Sequence, residues 1–246
     1  MEIKKAHNSI NNNKKNQIQL ICQKANLEII SYKKQGSKGY KLKSKQGYFY
    51  IKKFYDKNIY LKELKIIKLL TNEKISIPNL FYCGNLKDFS FLIFTYVSGK
   101  SLNKISPDEY SIIAQKIFII LKKIHKIKFN KKSLVHGDLQ INNFIYSKQK
   151  LLIFDFECSK WEDKYFDYAW IFLAAYYYHL HQNSVGLIYQ KLWNLIEKNN
   201  DINCDKLKFF IDDLLLNRFN YFFTENKKKM AFEKFYKKYF SRYNKI

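Results

Sequence analysis

Between Val135 and Glu157 the chain reads V-H-G-D-L-Q-I-N-N-F-I-Y-S-K-Q-K-L-L-I-F-D-F-E, and three of its side chains carry oxygens at a spacing suited to phosphate chemistry. Asp138, in a His-Gly-Asp turn, can accept a proton. Asn143 and Asp155 offer hard oxygens to Mg²⁺, which takes few protein ligands and keeps several waters. Two apolar runs, Phe144–Tyr146 and Leu151–Phe154, flank Ser147-Lys148-Gln149-Lys150, a pattern that predicts a hairpin. The hairpin would bring Asn143 and Asp155 to the same end. A lone His-Gly-Asp turn is often only a hydrogen-bonded turn. The Asn that follows it and the acid closing the next strand favour catalysis.

Stepping outward, the elements that must hold this stretch fall into a strand-rich front and a helical back. Residues 1 to 16 are polar and read as a frayed start, followed by a short helix over Ile18–Lys24. Leu27–Tyr32 reads as a strand leading into Q-G-S-K-G, residues 35 to 39. There Gly36 and Gly39 permit a tight turn, either one whose backbone N–H groups cradle phosphate or an ordinary hairpin loop. Tyr40–Lys43 and Tyr48–Phe54 continue as strands. Period-two alternation puts Lys52 on the face of Tyr48 and Tyr50, and Lys53 on the face of Phe49 and Ile51. A helix over Ile59–Leu70 carries Glu63, placed either to meet a strand lysine or to form a solvated surface pair. Leu80–Cys83 and Phe89–Val97 complete about five antiparallel strands with one inserted helix.

Ser98-Gly99-Lys100 punctuates the chain and divides it into expected domains 1–97 and 98–246. Ser106, Pro107 and Glu109 form a helix start with a capping box, for a helix running to about His125. After Asp155, an apolar run ends near Leu180. Further helices are predicted over Val185–Lys198, Lys206–Phe223 and Lys228–Tyr239.

Composition sets limits on function. With 246 residues, 47% of them hydrophobic, the chain can bury a sizeable core. Its net charge of +24 suggests anionic partners, yet all but Arg218 and Arg242 of its 45 basic residues are lysine. Recognition of bases and phosphates usually employs the bidentate guanidinium, so nucleic acid is not the expected partner. Weak association with an anionic surface stays open. Cys22, Cys83, Cys158 and Cys204 are scattered, as in a reduced cytoplasmic protein. The longest apolar run, Tyr168–Tyr178, is too short for a bilayer, which needs about 20 residues. His125, His179 and His181 read as packing or surface residues. Trp161, Tyr165, Phe166 and Trp170, with Glu157 and Glu162, could form a cation-binding aromatic cage, although aromatic residues at helical spacing are more often core.

A strand-rich lobe with a lysine and a helix glutamate, a linker, a helical lobe, H-G-D-x-x-x-x-N and an I-F-D hairpin follow the order of parts in the protein-kinase-like fold. Gly137 stands where protein kinases usually have Arg, and Glu157 where they have Gly. In these features, and in E-D-K-Y-F-D-Y-A over residues 162 to 169, the chain resembles the aminoglycoside phosphotransferase and choline kinase family. The resemblance spans about Gln35 to Leu180 and is most specific in the catalytic stretch. It implies an α+β, bilobal, protein-kinase-like fold and ATP-dependent transfer of the γ-phosphate to a hydroxyl of a small molecule. The acceptor would be an amino alcohol, aminosugar or related metabolite. It implies Asp138 as base, Mg²⁺ on Asn143 and Asp155, Lys52 on the α/β-phosphates fixed by Glu63, and adenine at the backbone of Thr95, Tyr96 and Val97. His136 and Asp167 match bracing positions. Lys53 competes with Lys52, which follows an Ile as in V-A-I-K. A protein or lipopolysaccharide-sugar kinase and a non-catalytic nucleic-acid- or membrane-binding relative are the alternatives.

Overall fold

The computed structural model describes residues 17–37, 39–180, 184–199 and 202–217. The expected frayed start, the helix over Lys228–Tyr239, the end of the helix over Lys206–Phe223, and His181 lie outside them. The chain forms two compact units, Met1–Glu73 with Ile77–Ser98, and Lys74–Ser76 with Gly99–Ile246.

The first unit is built on one antiparallel sheet in the order β1-β2-β3-β5-β4. Its strands are β1 (Ile29–Gln35), β2 (Gly39–Ser44), β3 (Gly47–Phe54), β4 (Leu80–Asn85) and β5 (Ser90–Thr95). Helix α1, over 17–24, packs Ile18, Ile21 and Cys22 against Leu42, Phe49, Ile51, Phe91 and Ile93, closing one face of the sheet into a core. The inserted helix α2 (Lys57–Asn72) is N-capped by Asp56, whose carboxylate accepts from the amides of Asn58 and Ile59. Its buried stripe is Tyr60, Glu63, Ile66, Ile67 and Leu70. An acid in the middle of an apolar stripe must find a cation there, because a lone buried carboxylate is too costly to keep ionised.

The second unit joins three-stranded sheets to helices. Its short strands are β6 (Lys100–Ser101), β7 (Lys128–Phe129), β8 (Lys132–Val135), β9 (Phe144–Ser147), β10 (Lys150–Ile153) and β11 (Lys160–Glu162), in the orders β10-β9-β6 and β11-β8-β7. The pairs β7–β8 and β9–β10 turn through Asn130-Lys131 and Lys148-Gln149, all four residues at positive φ, as two-residue turns matched to strand twist require. The capping box at Ser106 and Glu109 is formed, over a 3-10 turn that leads into α3 (Tyr110–Lys126). Helix α4 (Tyr165–Leu180) is buried all round from Tyr165 to Tyr176, as a helix without a polar face must be. Helices α5 (Ser184–Asn199) and α6 (Cys204–Asn217) pack on it, and α3 packs on α5. The four strands β6, β7, β8 and β11 have no counterpart among the elements expected from the sequence, being too short to show a period.

Three of the four aromatic residues, Tyr165, Phe166 and Trp170, are core rather than cage, and Trp161 is half-buried beside Phe129. Trp170 packs against Tyr189 with ring centroids 6.1 Å apart, Phe166 meets Phe210 at 6.0 Å, and the Tyr165 hydroxyl accepts from the Asn203 amide.

Candidate active site

In the second unit, β8 ends at Val135 and delivers His136, Gly137 and Asp138 into a turn held mainly by one buried acid. Asp167, in the first turn of α4 and fully buried, accepts from the backbone amides of His136 (Oδ2, 2.9 Å) and Gly137 (Oδ1, 2.9 Å). Its Oδ2 also lies 2.9 Å from Nε2 of His125, near the end of α3. Burial by itself would push the Asp167 carboxyl up. The His125 ring and the Gly137 amide outweigh it, and the group is held below the ordinary carboxylate value.

Gly137 has φ +80°, and a Cβ there would fall 2.4 Å from the carbonyl oxygen of Cys158. A side chain is thus excluded twice, by backbone conformation and by space, which explains why no Arg occupies this position. The His136 ring, also buried, accepts the Asp138 amide at Nδ1 (3.3 Å) and donates from Nε2 to the Phe154 carbonyl (3.1 Å). Burial lowers its pKa against the pull of Asp167, so the ring is neutral and suited to accept on one side and donate on the other.

Asn143 closes a short 3-10 turn, Ile141–Asn143, and its Nδ2 donates to both the carbonyl (2.8 Å) and the Oδ2 (3.2 Å) of Asp138. The amide nitrogen is thereby committed to Asp138, and Oδ1 is the atom left to face a cation. The hairpin pairs Ile153 with Phe144, and the Phe154 amide donates to the Asn143 carbonyl at 3.1 Å. Asn143 and Asp155 therefore leave the same end of β9–β10. Asp155 departs from the strand at φ +66°, a conformation that Asp tolerates better than most residues. Hard oxygens from an amide and a carboxylate at one hairpin end are the donor set that Mg²⁺ prefers.

In the first unit, Lys52 on β3 and Glu63 on α2 form a two-pronged pair, with Nζ 3.0 Å from Oε1 and 2.9 Å from Oε2, both side chains buried. Lys53 points to the other face, donating to Gln17 of α1 at 2.8 Å. Alternation along β3 thus separates the two lysines, and Lys52 is the one that meets Glu63. Gly39 lies opposite Lys52 in the β2–β3 register, where a Cβ would lie 2.6 Å from the Gln35 carbonyl. Gly36 takes the turn at φ +72° with open space around it. After β5, the Thr95 amide donates to the Asn79 carbonyl and the Tyr96 amide to Tyr48, both at 2.9 Å. These two amides are thus engaged within the first unit.

Three supporting residues carry no such signal in the sequence, or only a faint one. His125, expected to be a packing or surface residue, is buried and bonded to Asp167; its place beside Ile124 on the apolar stripe of α3 is the sign that could have marked it. The Ser159 hydroxyl donates to the His136 carbonyl at 3.0 Å, and the Tyr189 hydroxyl of α5 donates to the Leu139 carbonyl. Neither bond has a spacing signature, since each joins segments far apart in the chain.

Comparison with known proteins bears on the family and the fold. Residues 12–161, more than half of the chain, match the model of the RIO domain, and residues 129–197 match that of the phosphotransferase enzyme family. No curated protein matches. Among solved structures, the chain is similar to a crystal structure of an aminoglycoside-3'-phosphotransferase of type VIII. The TM-score is 0.57 and the identity 12%, over 75% of this chain and 91% of that one. At that identity the likeness speaks for the fold. With its α+β architecture and its sequence matches taken together, the chain belongs to the protein-kinase-like phosphotransferases, carrying a RIO domain over residues 12–161 and a phosphotransferase enzyme family match over residues 129–197.

Proposed function

We propose that this protein transfers the γ-phosphate of ATP to a hydroxyl group of a small molecule, an amino alcohol such as choline, an aminosugar or a related metabolite. The observation that carries the reading is the Asp138–Asn143 contact at a turn clamped by Asp167, with Asp155 leaving the same hairpin end as Asn143. In this reading Asp138 orients the acceptor hydroxyl and takes its proton. Asn143 and Asp155 hold Mg²⁺, which when bound neutralises charge on the nucleotide phosphates. Lys52, fixed by Glu63, serves the α/β-phosphates, with Gly36 and Gly39 at the phosphate turn and the Thr95–Val97 backbone for adenine. Phosphoryl transfer asks a protein mainly for positioning and charge neutralisation, and the turn at Asp138, Asn143 and Lys52 are each anchored by a buried or backbone contact.

A small acceptor is supported by the stretch after Asp155. Regulated protein kinases place a long activation loop between their metal-binding Asp and the helical lobe. Here only β11 intervenes before α4 begins at Tyr165. The RIO-domain match favours a protein acceptor as the second reading. Four free cysteines, and no helix among the described residues long and apolar enough to cross a membrane, support a cytoplasmic setting.

The test is ADP release from Mg-ATP with choline, ethanolamine, thiamine, aminoglycosides and simple sugars in turn, with Asp138→Asn as blank. One of them should stimulate release. Asp138→Ala and Asp155→Ala should each then lower turnover by at least about 10²-fold, the lower end of what a positioned base contributes. Near-normal turnover in both variants refutes the assignment, and stimulation by proteins alone selects the second reading.

A further inference from the structure

A cavity of about 510 Å³ in the second unit is walled by five lysines, Lys128, Lys131, Lys132, Lys164 and Lys206. None of the residues assigned to phosphoryl transfer lines it. The lysines face two carboxylates there, and both carboxylates are already engaged: Glu162 with Lys132 at 3.3 Å and Asp163 with Lys206 at 2.8 Å. The remaining ammonium groups have no carboxylate within ion-pair distance among the described residues. Lys128 donates to the neutral hydroxyl of Ser133 at 2.6 Å, and Lys164 lies near the rings of Tyr165 and Tyr168, at 5.9 and 5.6 Å. Lys131 occupies the second turn position of β7–β8 at φ +64°, where glycine is the easier residue. The same kind of turn recurs at Lys148-Gln149, so the backbone is an ordinary hairpin turn; the distinctive feature is the lysine that this one places at the cavity.

Five lysines and two carboxylates around one cavity leave an excess of positive charge there. A ligand with two or more negative charges in a compact group complements that excess. The volume exceeds that of a bare phosphate and suits a phosphate carried on a sugar-sized body, with Tyr165 and Phe210 as apolar wall. We propose that this lysine-walled pocket is a second, non-catalytic site that binds a phosphomonoester or diphosphate group through Lys128, Lys131 and Lys164.

Titration calorimetry on the full chain without Mg²⁺, at fixed ionic strength, tests the proposal with inorganic pyrophosphate and glucose 6-phosphate against chloride. Saturable binding is expected, weakened at least about tenfold in Lys131→Ala/Lys164→Ala, because the double variant removes two charge-assisted hydrogen bonds to phosphate, which are stronger than neutral ones. It should stay unchanged in Lys65→Ala/Lys68→Ala, which removes two exposed lysines of α2 and so controls for the loss of net charge. Sedimentation with vesicles of phosphatidylcholine, with and without phosphatidic acid, separates the source of the phosphate. Capture by the acidic vesicles that is abolished in the double variant assigns a lipid headgroup, whereas soluble binding alone assigns a free metabolite; either supports the site. No binding above the chloride control, or binding that survives the double variant, overturns it.

Discussion

Replacing Asp167 by Asn changes one atom and should damage both stability and turnover. In the native protein Oδ2 takes the His136 amide and the His125 ring, and Oδ1 takes the Gly137 amide, each at 2.9 Å. An asparagine keeps two of these bonds by placing its oxygen at the Oδ2 position. Its NH₂ then points at the Gly137 amide, donor against donor. One buried amide loses its acceptor, at a cost of about 1 to 3 kcal/mol, and the two remaining bonds lose their charged partner. We expect the unfolding free energy in urea to fall by about 2 to 4 kcal/mol, a large part of the about 5 to 15 kcal/mol that domains possess. Asp167→Ala, which strands both amides and the ring, should fall further, and His125→Gln less than either. Because Gly137 adjoins Asp138, turnover of folded Asp167→Asn should drop at least about tenfold, the order that displacement of a positioned base entails. Wild-type unfolding midpoint together with wild-type turnover in Asp167→Asn would refute the idea that this acid holds the catalytic turn.

Other outcomes follow from the same geometry. Gly137→Ala should lose more stability than Gly36→Ala. Both sit at positive φ, where a side chain costs about 1 to 2 kcal/mol, but only at Gly137 does the new Cβ meet a backbone oxygen, at 2.4 Å; paired urea melts compare them. Glu63→Ala should cost about 3 to 5 kcal/mol by stranding a buried ammonium. The double variant Lys52→Met/Glu63→Leu should recover much of that stability while losing ATP affinity, as denaturation and nucleotide titration would reveal. The pH dependence has a definite sign. His136 is held below its ordinary value, so the unfolded chain binds its proton first and stability is complete above about pH 6.5, declining as pH falls below it by up to about 1.4 kcal/mol per unit. Asp167, also lowered, adds a further loss beneath the ordinary carboxylate range. Thermal melts from pH 8 to 5 should show the first decline, and His136→Asn should flatten it.

What the sequence disclosed depended on how local each signal was. The hairpin ends that bring Asn143 and Asp155 together follow from two short apolar runs and a polar turn, so their register could be read directly. Glu63 is less legible, since its spacing on α2 also allows a solvated surface pair until burial of the stripe closes that reading, and strand alternation leaves two candidate lysines. Choosing Lys52 over Lys53 needed the position of α1, whose Gln17 takes the second lysine. The elements missed were of another kind. Strands β7, β8 and β11 are a few residues each and exist because they pair with one another, so no periodicity precedes them. The same holds for Ser159 and Tyr189, ordinary residues until the fold sets them against the carbonyls of His136 and Leu139. For the aromatic residues after Asp155 the sequence favours core over a ligand cage, and burial of α4 on all sides bears that out for Tyr165, Phe166 and Trp170.

The pairing of β11 with β8 reaches beyond architecture. Lys160, Trp161 and Glu162 are hydrogen-bonded in register to Val135, Leu134 and Ser133, the residues that lead directly into His136. The segment after Asp155 is therefore stitched to the segment before Asp138, and one cannot swing while the other stays. In enzymes where that segment is a loose loop, its ordering serves as a switch. Here the corresponding segment is held in register against β8, so on the proposed assignment the turn at Asp138 needs no separate ordering step.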